Sequence, residues 1–289
     1  MKASNMIEHI NELKQYYGLA DYHISFADIA QHKVGLRGKR VLEVGGSLPK
    51  EFVLNELNTD QWISIEKMNY WQELPNDTGK VQGTPPKEAP ITVFSGIKHY
   101  DELGCYRVLS GGAEEIPISF YGNFDVVFSI AAFEHITMFP LGLDRMFNVL
   151  KPGGFLFSMW SPIWSAHDGH HLPPIVDKLG KEMSFGKSPI PPWGHLLMRP
   201  NELYQHIINH TDTDTAARII YYVYNSPHIN RLFVEDYIGF INISKFQSVE
   251  ITGYACANIQ PEIQKRLEVL YPKHRHFTNN GIMAVLIHP

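Results

Sequence analysis

A short apolar run that ends in two glycines limits the folds open to this chain. Residues 40–44 (RVLEV) are apolar or β-branched for the most part, Gly45-Gly46 follows them, and a helical pattern begins near Pro49. Glycine is needed where a backbone turns sharply or passes close to a ligand. A buried strand, a glycine turn and a helix in this order are typical of α/β proteins, many of which use the turn for packing alone.

The same alternation continues along the chain. Strand patterns cover residues 62–66, 124–130, 155–160, 249–255 and 281–288, with helical patterns between most of them. Strands that alternate with helices indicate βαβ units and a mostly parallel sheet. The strand–helix–strand pattern at the end of the chain would complete a sheet of seven strands.

Two stretches interrupt this rhythm. Residues 68–110 are rich in proline, glycine and polar side chains, and residues 161–246 contain clusters of proline, histidine and aromatic residues. Both are too long for simple connections between strands. The sequence therefore predicts one domain over residues 1–289 with two insertions, 68–110 and 161–246, which are expected to form an acceptor-side cap or lid.

Composition narrows the class of protein further. With 44% hydrophobic and 19% charged residues, the 289-residue chain can bury a sizeable core. Its net charge of -5 argues against a nucleic-acid partner, which needs a clustered basic surface. Cys105 and Cys256 imply no disulfide framework. Residues 1–17 lack the apolar core of a signal peptide, and no stretch reaches the roughly 18 apolar residues of a membrane span. We therefore expect a cytoplasmic protein.

An acidic residue follows the second strand at an informative distance. Glu66 lies about 20 residues beyond the glycine turn, where a carboxylate can accept hydrogen bonds from both ribose hydroxyls of a nucleotide-like cofactor. The alternative is a solvated carboxylate at the end of a strand.

Five motifs in order resemble the class I methyltransferases that use S-adenosylmethionine, particularly their small-molecule branch and the methyltransferases of surface-polysaccharide pathways. They are the run into Gly45, Glu66, residues 111–117, residues 124–136, and residues 150–155. The resemblance implies S-adenosylmethionine as cofactor. It also implies the fold class α/β, with a Rossmann-like seven-stranded mostly parallel sheet, helices on both faces, and insertions.

The resemblance also implies which residues contact the cofactor: Glu43, Gly45, Gly46, Ser47, Glu66, Ala113, Glu114, Ser129 and Glu134. The chain departs from the family at Ser47 and Pro49, where further glycines are usual. It departs again at Gly112, where an aspartate often faces the adenine amino group. Glu114 or a backbone group is then expected to contact the adenine amino group.

Two residues near the end of the fourth motif are expected beside the reacting methyl group. Methyl transfer is an in-line displacement, so it depends on proximity and alignment. Glu134 and His135 lie at this edge. A hydroxyl acceptor must also lose a proton, and histidine is the side chain best suited to take it near neutral pH. The alternative for His135 is simple packing at the strand edge.

A second group of histidines follows the fifth strand, at the same edge of the sheet. We expect His167 and His170 to share catalysis with His135. We expect His171, His195 and Arg199 to bind the acceptor. A divalent metal held among His167, Asp168, His170 and His171 is an alternative, although their spacing matches no closed zinc motif. A polar loop without a catalytic role is another.

The predicted function is O-methylation of a sugar, nucleotide sugar or glycan end, with a small-molecule or glycan acceptor as partner and a homodimer as one option. N-methylation, or methylation of another small metabolite, is the alternative within the class. A nicotinamide-dependent oxidoreductase would share the glycine turn and Glu66, but the first turn has no G-x-G-x-x-G pattern. A non-catalytic protein that binds S-adenosylmethionine is a third class.

Overall fold

One central sheet organises the protein. The computed structural model describes residues 11–46, 48–67, 74–75, 77, 92–93 and 100–289. The strands are, in chain order, β1 (Arg40–Val44), β2 (Gln61–Glu66), β3 (Thr92–Val93), β4 (Tyr106–Ser110), β5 (Phe124–Ile130), β6 (Leu150–Trp160), β7 (Ile175–Val176), β8 (Glu182–Met183), β9 (Gln247–Tyr254) and β10 (Gly281–Ile287). The sheet order is β3-β4-β2-β1-β5-β6-β10-β9, so seven substantial strands are extended at one edge by the two-residue β3. A separate hairpin contains β7 and β8.

The sheet reverses its winding direction between β1 and β5. Strand β1 pairs in parallel with both β2 and β5, and the chain builds the β2 side first before it returns to β5. Strand β10 is antiparallel to both of its neighbours. The prediction of a Rossmann-like, mostly parallel seven-stranded sheet is confirmed. In such open sheets, ligands bind beyond the carboxyl ends of the strands at the reversal point.

Helices cover both faces of the sheet. The α-helices of the described residues are α1 (Asp21–Lys33), α2 (Phe139–Val149), α3 (Gly194–Leu197), α4 (Pro200–Ile207), α5 (Thr213–Tyr224), α6 (Val234–Ile243) and α7 (Pro261–Leu270), with further helical residues at 11–17 and a short π-helical turn at Phe52–Glu56. Successive side chains of β5 point to opposite faces. Val126 and Phe128 pack in the cluster that contains α1, and Val127 packs in the cluster that contains α2 and α6. No helix in the described ranges is long and apolar enough to cross a membrane.

The predicted insertions are shorter than the sequence suggested. Residues 106–110, placed in the first insertion, form β4 and pair in register with β2. The other residues of 68–110 lie largely outside the described residues. The end of the second insertion is α6, which packs on the sheet through Val234, Tyr237 and Ile241. Strand β6 also begins at Leu150, because β5 pairs with it across the turn predicted at 151–154.

The rest of the second insertion has a hydrophobic core of its own. Nine buried residues between β6 and α6 form a cluster separate from those of the sheet. They are Leu172, Ile175, Met183, Ile190, Leu203, Ile207, Ala216, Ile219 and Val223. Because the loop 161–171 enters this subdomain directly from the end of β6, the subdomain stands beside the carboxyl edge of the sheet.

Candidate active site

A cavity of about 430 Å³ lies at the reversal point of the sheet. Its walls come from the ends of β1 and β2 and from the segments that follow β4, β5 and β6, with Tyr22 and Phe26 of α1 on another side. This size falls within the usual range for small-molecule sites. The cavity is therefore placed where a doubly wound sheet binds its ligand.

The glycine turn after β1 brings two walls of the cavity together. Gly45 has φ +77°, and a Cβ atom added there would lie 2.2 Å from Cβ of Ala132, in the segment that follows β5. The Gly45 backbone N–H donates to the Ile65 carbonyl over 2.8 Å, which ties the turn to β2. An added Cβ at Gly46 would lie 2.8 Å from Oε1 of Glu43. Glycine is thus required sterically at this turn, as the sequence indicates.

Two residues predicted to contact the cofactor instead support this turn. Glu43 is buried behind it and accepts hydrogen bonds from the Leu48 backbone N–H (3.0 Å), the Trp62 indole (2.7 Å) and the Ser64 hydroxyl. Burial raises the pKa of Glu43, although these three donors act in the opposite direction. The buried Ser129 hydroxyl donates to the Val44 carbonyl over 2.8 Å. Neither residue lines the cavity, so direct cofactor contact has no support from their placement.

The remaining predicted cofactor residues, apart from Gly46 and Ser47, line the cavity. Glu66 lies at the end of β2, and Ala113 and Glu114 lie opposite it in the segment after β4. An oxygen of Glu114 accepts from the Met138 backbone N–H over 3.0 Å, which fixes this wall against the start of α2. Ser47 lies outside the described residues. A carboxylate at the end of β2, a glycine turn that allows close approach and a wall of small residues fit an adenosine-containing cofactor.

Replacing Glu66 with alanine tests this assignment. The change would remove two hydrogen bonds to a charged acceptor and lower the affinity for S-adenosylhomocysteine by about 2–3 kcal/mol, or roughly 30- to 150-fold. Isothermal titration calorimetry measures the loss. Glu262→Ala, in the exposed first turn of α7, is the matched control and should bind like the wild type. An unchanged affinity in Glu66→Ala would show that this carboxylate does not hold the ribose.

A buried carboxylate faces the cavity beyond the glycine turn. Glu134 follows β5 and is 3% exposed, yet neither carboxylate oxygen accepts a well-formed hydrogen bond within the described part of the chain. Burial raises the pKa of Glu134 to about 8, against the lowering effect of the Glu134 and Ser161 backbone N–H groups. These backbone groups compensate the buried carboxylate only in part, which suits it to interact with a cation.

Next to it, a histidine is fixed in one tautomer. Nδ1 of His135 lies 2.6 Å from the His228 carbonyl oxygen, so Nδ1 carries the proton and Nε2 is the acceptor nitrogen of the ring. Nε2 lies 3.9 Å from Oε1 of Glu134. Burial lowers the pKa of His135 to about 4, although the bond to His228 raises it. The ring is therefore neutral at neutral pH, and it is a weaker base than the sequence suggested.

His171 joins this pair from the loop after β6. Its backbone has φ +48°, a left-handed conformation that turns the side chain toward the cavity, and its ring centroid lies 5.0 Å from that of His135. Phe185 stacks on its other side at 5.8 Å. Burial and the neighbouring histidines keep the pKa of His171 well below its ordinary value.

Four other predicted site residues do not line the cavity: His167, His170, His195 and Arg199. Nδ1 of the buried His170 accepts from the Leu172 backbone N–H, and His195 donates to the Trp164 carbonyl over 2.8 Å. His167 packs near Trp193 and lies 3.5 Å from the Asp168 carboxylate. Arg199 is exposed at the start of α4. These four residues therefore belong to other parts of the insertion, and their side chains do not line the cavity.

Sequence reasoning missed the segment that holds the site together. The amide of Asn230 donates to the carbonyls of Phe133 (2.7 Å) and Ile136 (3.1 Å), and its backbone N–H donates to the Glu134 carbonyl. Nε2 of His228 donates to the His171 carbonyl over 3.0 Å. The segment 226–232 thus connects the loop after β5 to the loop after β6. Separations of up to 97 residues left no local signal for these contacts.

Comparison with known proteins adds a family match. Residues 70–158 match the family described as Methyltransferase domain. No curated protein sequence gives a significant match.

Several solved structures show distant similarity. An S-adenosylmethionine-dependent methyltransferase from Mesorhizobium loti is 10% identical (TM-score 0.43, covering 87% of this chain and 92% of that chain). A chain from the Haloferax volcanii complex with the Trm112 methyltransferase activator is 12% identical (TM-score 0.45, 98% and 94%). The YcgJ protein of Bacillus subtilis is 10% identical (TM-score 0.42, 92% and 96%). Scores this low assign neither a substrate nor a partner.

The domain match covers β4, β5 and most of β6, and the segments after β4 and β5 build much of the cavity. The glycine turn and Glu66 lie just before the match in the chain. The strand order places all these segments around one site at the reversal point. Residues 70–158 therefore match a methyltransferase domain, and the cavity that this part of the chain helps to build fits S-adenosylmethionine as the cofactor.

Proposed function

We propose that the enzyme methylates a hydroxyl group of a small polar acceptor, namely a sugar, a nucleotide sugar or a glycan end. The observation that carries this proposal is the buried group of Glu134, His135 and His171 at the cavity. A neutral amine can attack the methyl group without first losing a proton. A hydroxyl is a weak nucleophile until a base removes its proton. A buried carboxylate and two neutral imidazoles at the reacting edge favour the hydroxyl.

When bound, S-adenosylmethionine supplies an electrophilic methyl group on a positively charged sulfur. The residues of the chain align and shield this group. The turn at Gly45 forms one wall of the cavity, Glu66 is positioned to hold the ribose, and the Glu134 side chain lies in the buried part of the cavity, where a bound cation would favour its ionised form. A cavity that excludes water favours the loss of charge from sulfur during transfer.

The acceptor side combines flat apolar surface with polar groups. His171 stacks against Phe185, and both line the cavity with Pro227. Asn280 lines it too, and its buried Oδ1 has no hydrogen-bond partner among the described residues. An aromatic face packs well on a sugar ring, and an amide oxygen accepts from a hydroxyl. This mixture supports a polyhydroxylated acceptor more than an apolar one.

The subdomain between β6 and α6 is the acceptor-side cap in this proposal, since it supplies His171 and Phe185 to the cavity. A cytoplasmic location also stays a proposal. It is supported by the two free, exposed cysteines, Cys105 and Cys256.

Acceptor screening with isotopically labelled S-adenosylmethionine tests the function. We expect label in nucleotide sugars or simple glycosides, and mass spectrometry of the product should locate the methyl group on oxygen. Deoxy analogues of the best acceptor should lose turnover at the methylated position. Transfer to amines alone, with every sugar inactive, would contradict the proposal, as would binding of nicotinamide cofactors in place of S-adenosylhomocysteine.

A further inference from the structure

Three side chains at the cavity are arranged like an incomplete metal site. Glu134, His135 and His171 each offer one ligand atom, and these atoms all lie within 4.8 Å of one another. Ligand atoms about 2.1 Å from a shared Zn²⁺ are about 3.4 Å apart in a tetrahedral site. The separation of 3.9 Å between Nε2 of His135 and the Glu134 carboxylate is only slightly longer. A small rotation of side chains would bring the three together.

The Glu134 carboxylate is the strongest indication of a missing cation. It is 3% exposed and neither oxygen accepts a well-formed hydrogen bond from a described residue. Burying an uncompensated carboxylate is costly unless a cation or several donors accompany it. Nδ1 of His135 donates to the His228 carbonyl, so the ring presents the lone pair of Nε2 on the side of Glu134. A divalent ion would complete this arrangement.

The contact behind His135 is one that metal-binding histidines use. Metal-bound histidine commonly donates its second ring N–H to a backbone carbonyl or a carboxylate. His135 does so through Nδ1 to the His228 carbonyl. His228 also donates to the His171 carbonyl over 3.0 Å, so one segment orients both histidines. Nδ1 of His171 is buried without a hydrogen-bond partner among the described residues.

We propose that Glu134, His135 and His171 bind one divalent transition-metal ion at the acceptor end of the cavity. Two imidazole nitrogens and one carboxylate oxygen suit Zn²⁺, Mn²⁺, Fe²⁺ or Co²⁺ better than Mg²⁺, which prefers oxygen. Three protein ligands leave coordination positions open for oxygens of the acceptor. The ion would orient neighbouring hydroxyls and favour the loss of a proton. This inference rests on the proposed function for its role in the reaction, but not for the binding of the ion.

This ligand set differs from the one that the sequence suggested. Of the four residues His167, Asp168, His170 and His171, only His171 reaches the cavity. The new set takes two of its three ligands from the segment after β5 and one from the loop after β6.

Titration of the chelator-stripped, untagged protein with Co²⁺ and with Zn²⁺ tests the site. We expect one ion per chain by calorimetry, with a visible Co²⁺ absorption that reports nitrogen ligands. Glu134→Gln and His171→Asn should each weaken binding at least tenfold. Asparagine tolerates the left-handed backbone at position 171. His210→Asn is the matched control, since His206 and His210 form a histidine pair on another surface and should not affect the site.

Melting curves and S-adenosylhomocysteine titrations verify that the variants are folded. Binding that is absent, or that persists unchanged in Glu134→Gln, overturns the inference. Full turnover in chelator would likewise remove the ion from the reaction and leave the proposed function intact. One bound ion per chain with no hydroxyl methylated by the loaded protein would instead reject the proposed function and keep the metal site.

Discussion

Replacing Gly45 with alanine is expected to lower the free energy of unfolding by about 2–5 kcal/mol and to weaken S-adenosylhomocysteine binding about tenfold or more. Two costs add. Alanine at φ +77° is strained by about 1–2 kcal/mol, and its Cβ would lie 2.2 Å from Cβ of Ala132, which forces the turn or its neighbour to move at a cost of about 1–3 kcal/mol. Denaturant unfolding and calorimetry measure the two effects.

Two further variants separate these costs. Gly122 has φ +69° with nothing within 4 Å of an added Cβ, so Gly122→Ala should show the backbone cost alone and leave cofactor affinity unchanged. Ala132→Gly in the Gly45→Ala background removes the atom in conflict. The double variant should regain affinity and the packing part of the stability, but not the backbone part. Equal losses in Gly45→Ala and Gly122→Ala would show that contact with Ala132 is unimportant.

The sequence predicted the fold and the edge of the sheet that carries the site, because both depend on local signals. A strand that ends in Gly45 is visible within a few residues, and parallel strands bring their carboxyl ends to one edge. Strand β4 was missed since Tyr106–Ser110 is short, contains Arg107, and follows a polar, proline-rich stretch. Pairing with β2 on one side and β3 on the other overrides that weak local pattern.

The histidines could not be assigned from their spacing. His170 and His171 are neighbours, yet His170 is buried in the insertion while His171 reaches the cavity, since its left-handed backbone turns it the other way. The roles of His228 and Asn230 depend on contacts with residues far away in the chain. Such contacts follow from how the insertion packs on the sheet, and periodicity carries no information about them.

Glu134→Gln is expected to abolish catalysis while making the metal-free protein more stable relative to the wild type as pH rises. Loss of the carboxylate should lower turnover on the order of a hundredfold or more, because neither a cation nor a proton can be held at this position. The stability effect follows from the raised pKa of about 8 in the folded state, against an ordinary value of 4.5. Between these values the folded protein binds more protons than the unfolded chain, so stability falls as pH rises.

The size of the effect can be measured against a control of opposite sign. From about pH 5 to about pH 7 the free energy of unfolding of the wild type should fall by about 2–3 kcal/mol relative to that of Glu134→Gln, which has no proton to lose at this position.

Glu235 provides the control. It accepts from the Arg275 and His276 backbone N–H groups, and despite the opposing effect of its burial these bonds hold its pKa at about 2. The stabilisation that ionised Glu235 contributes is complete above its ordinary pKa of 4.5, and it is lost only as the pH falls toward the folded-state pKa of about 2. Glu235→Gln should therefore be less stable than the wild type throughout the same interval. If the free energy of unfolding changes with pH in the same way for the wild type and Glu134→Gln in chelator, the Glu134 carboxylate is already compensated inside the protein. That result would contradict its proposed role in binding a cation.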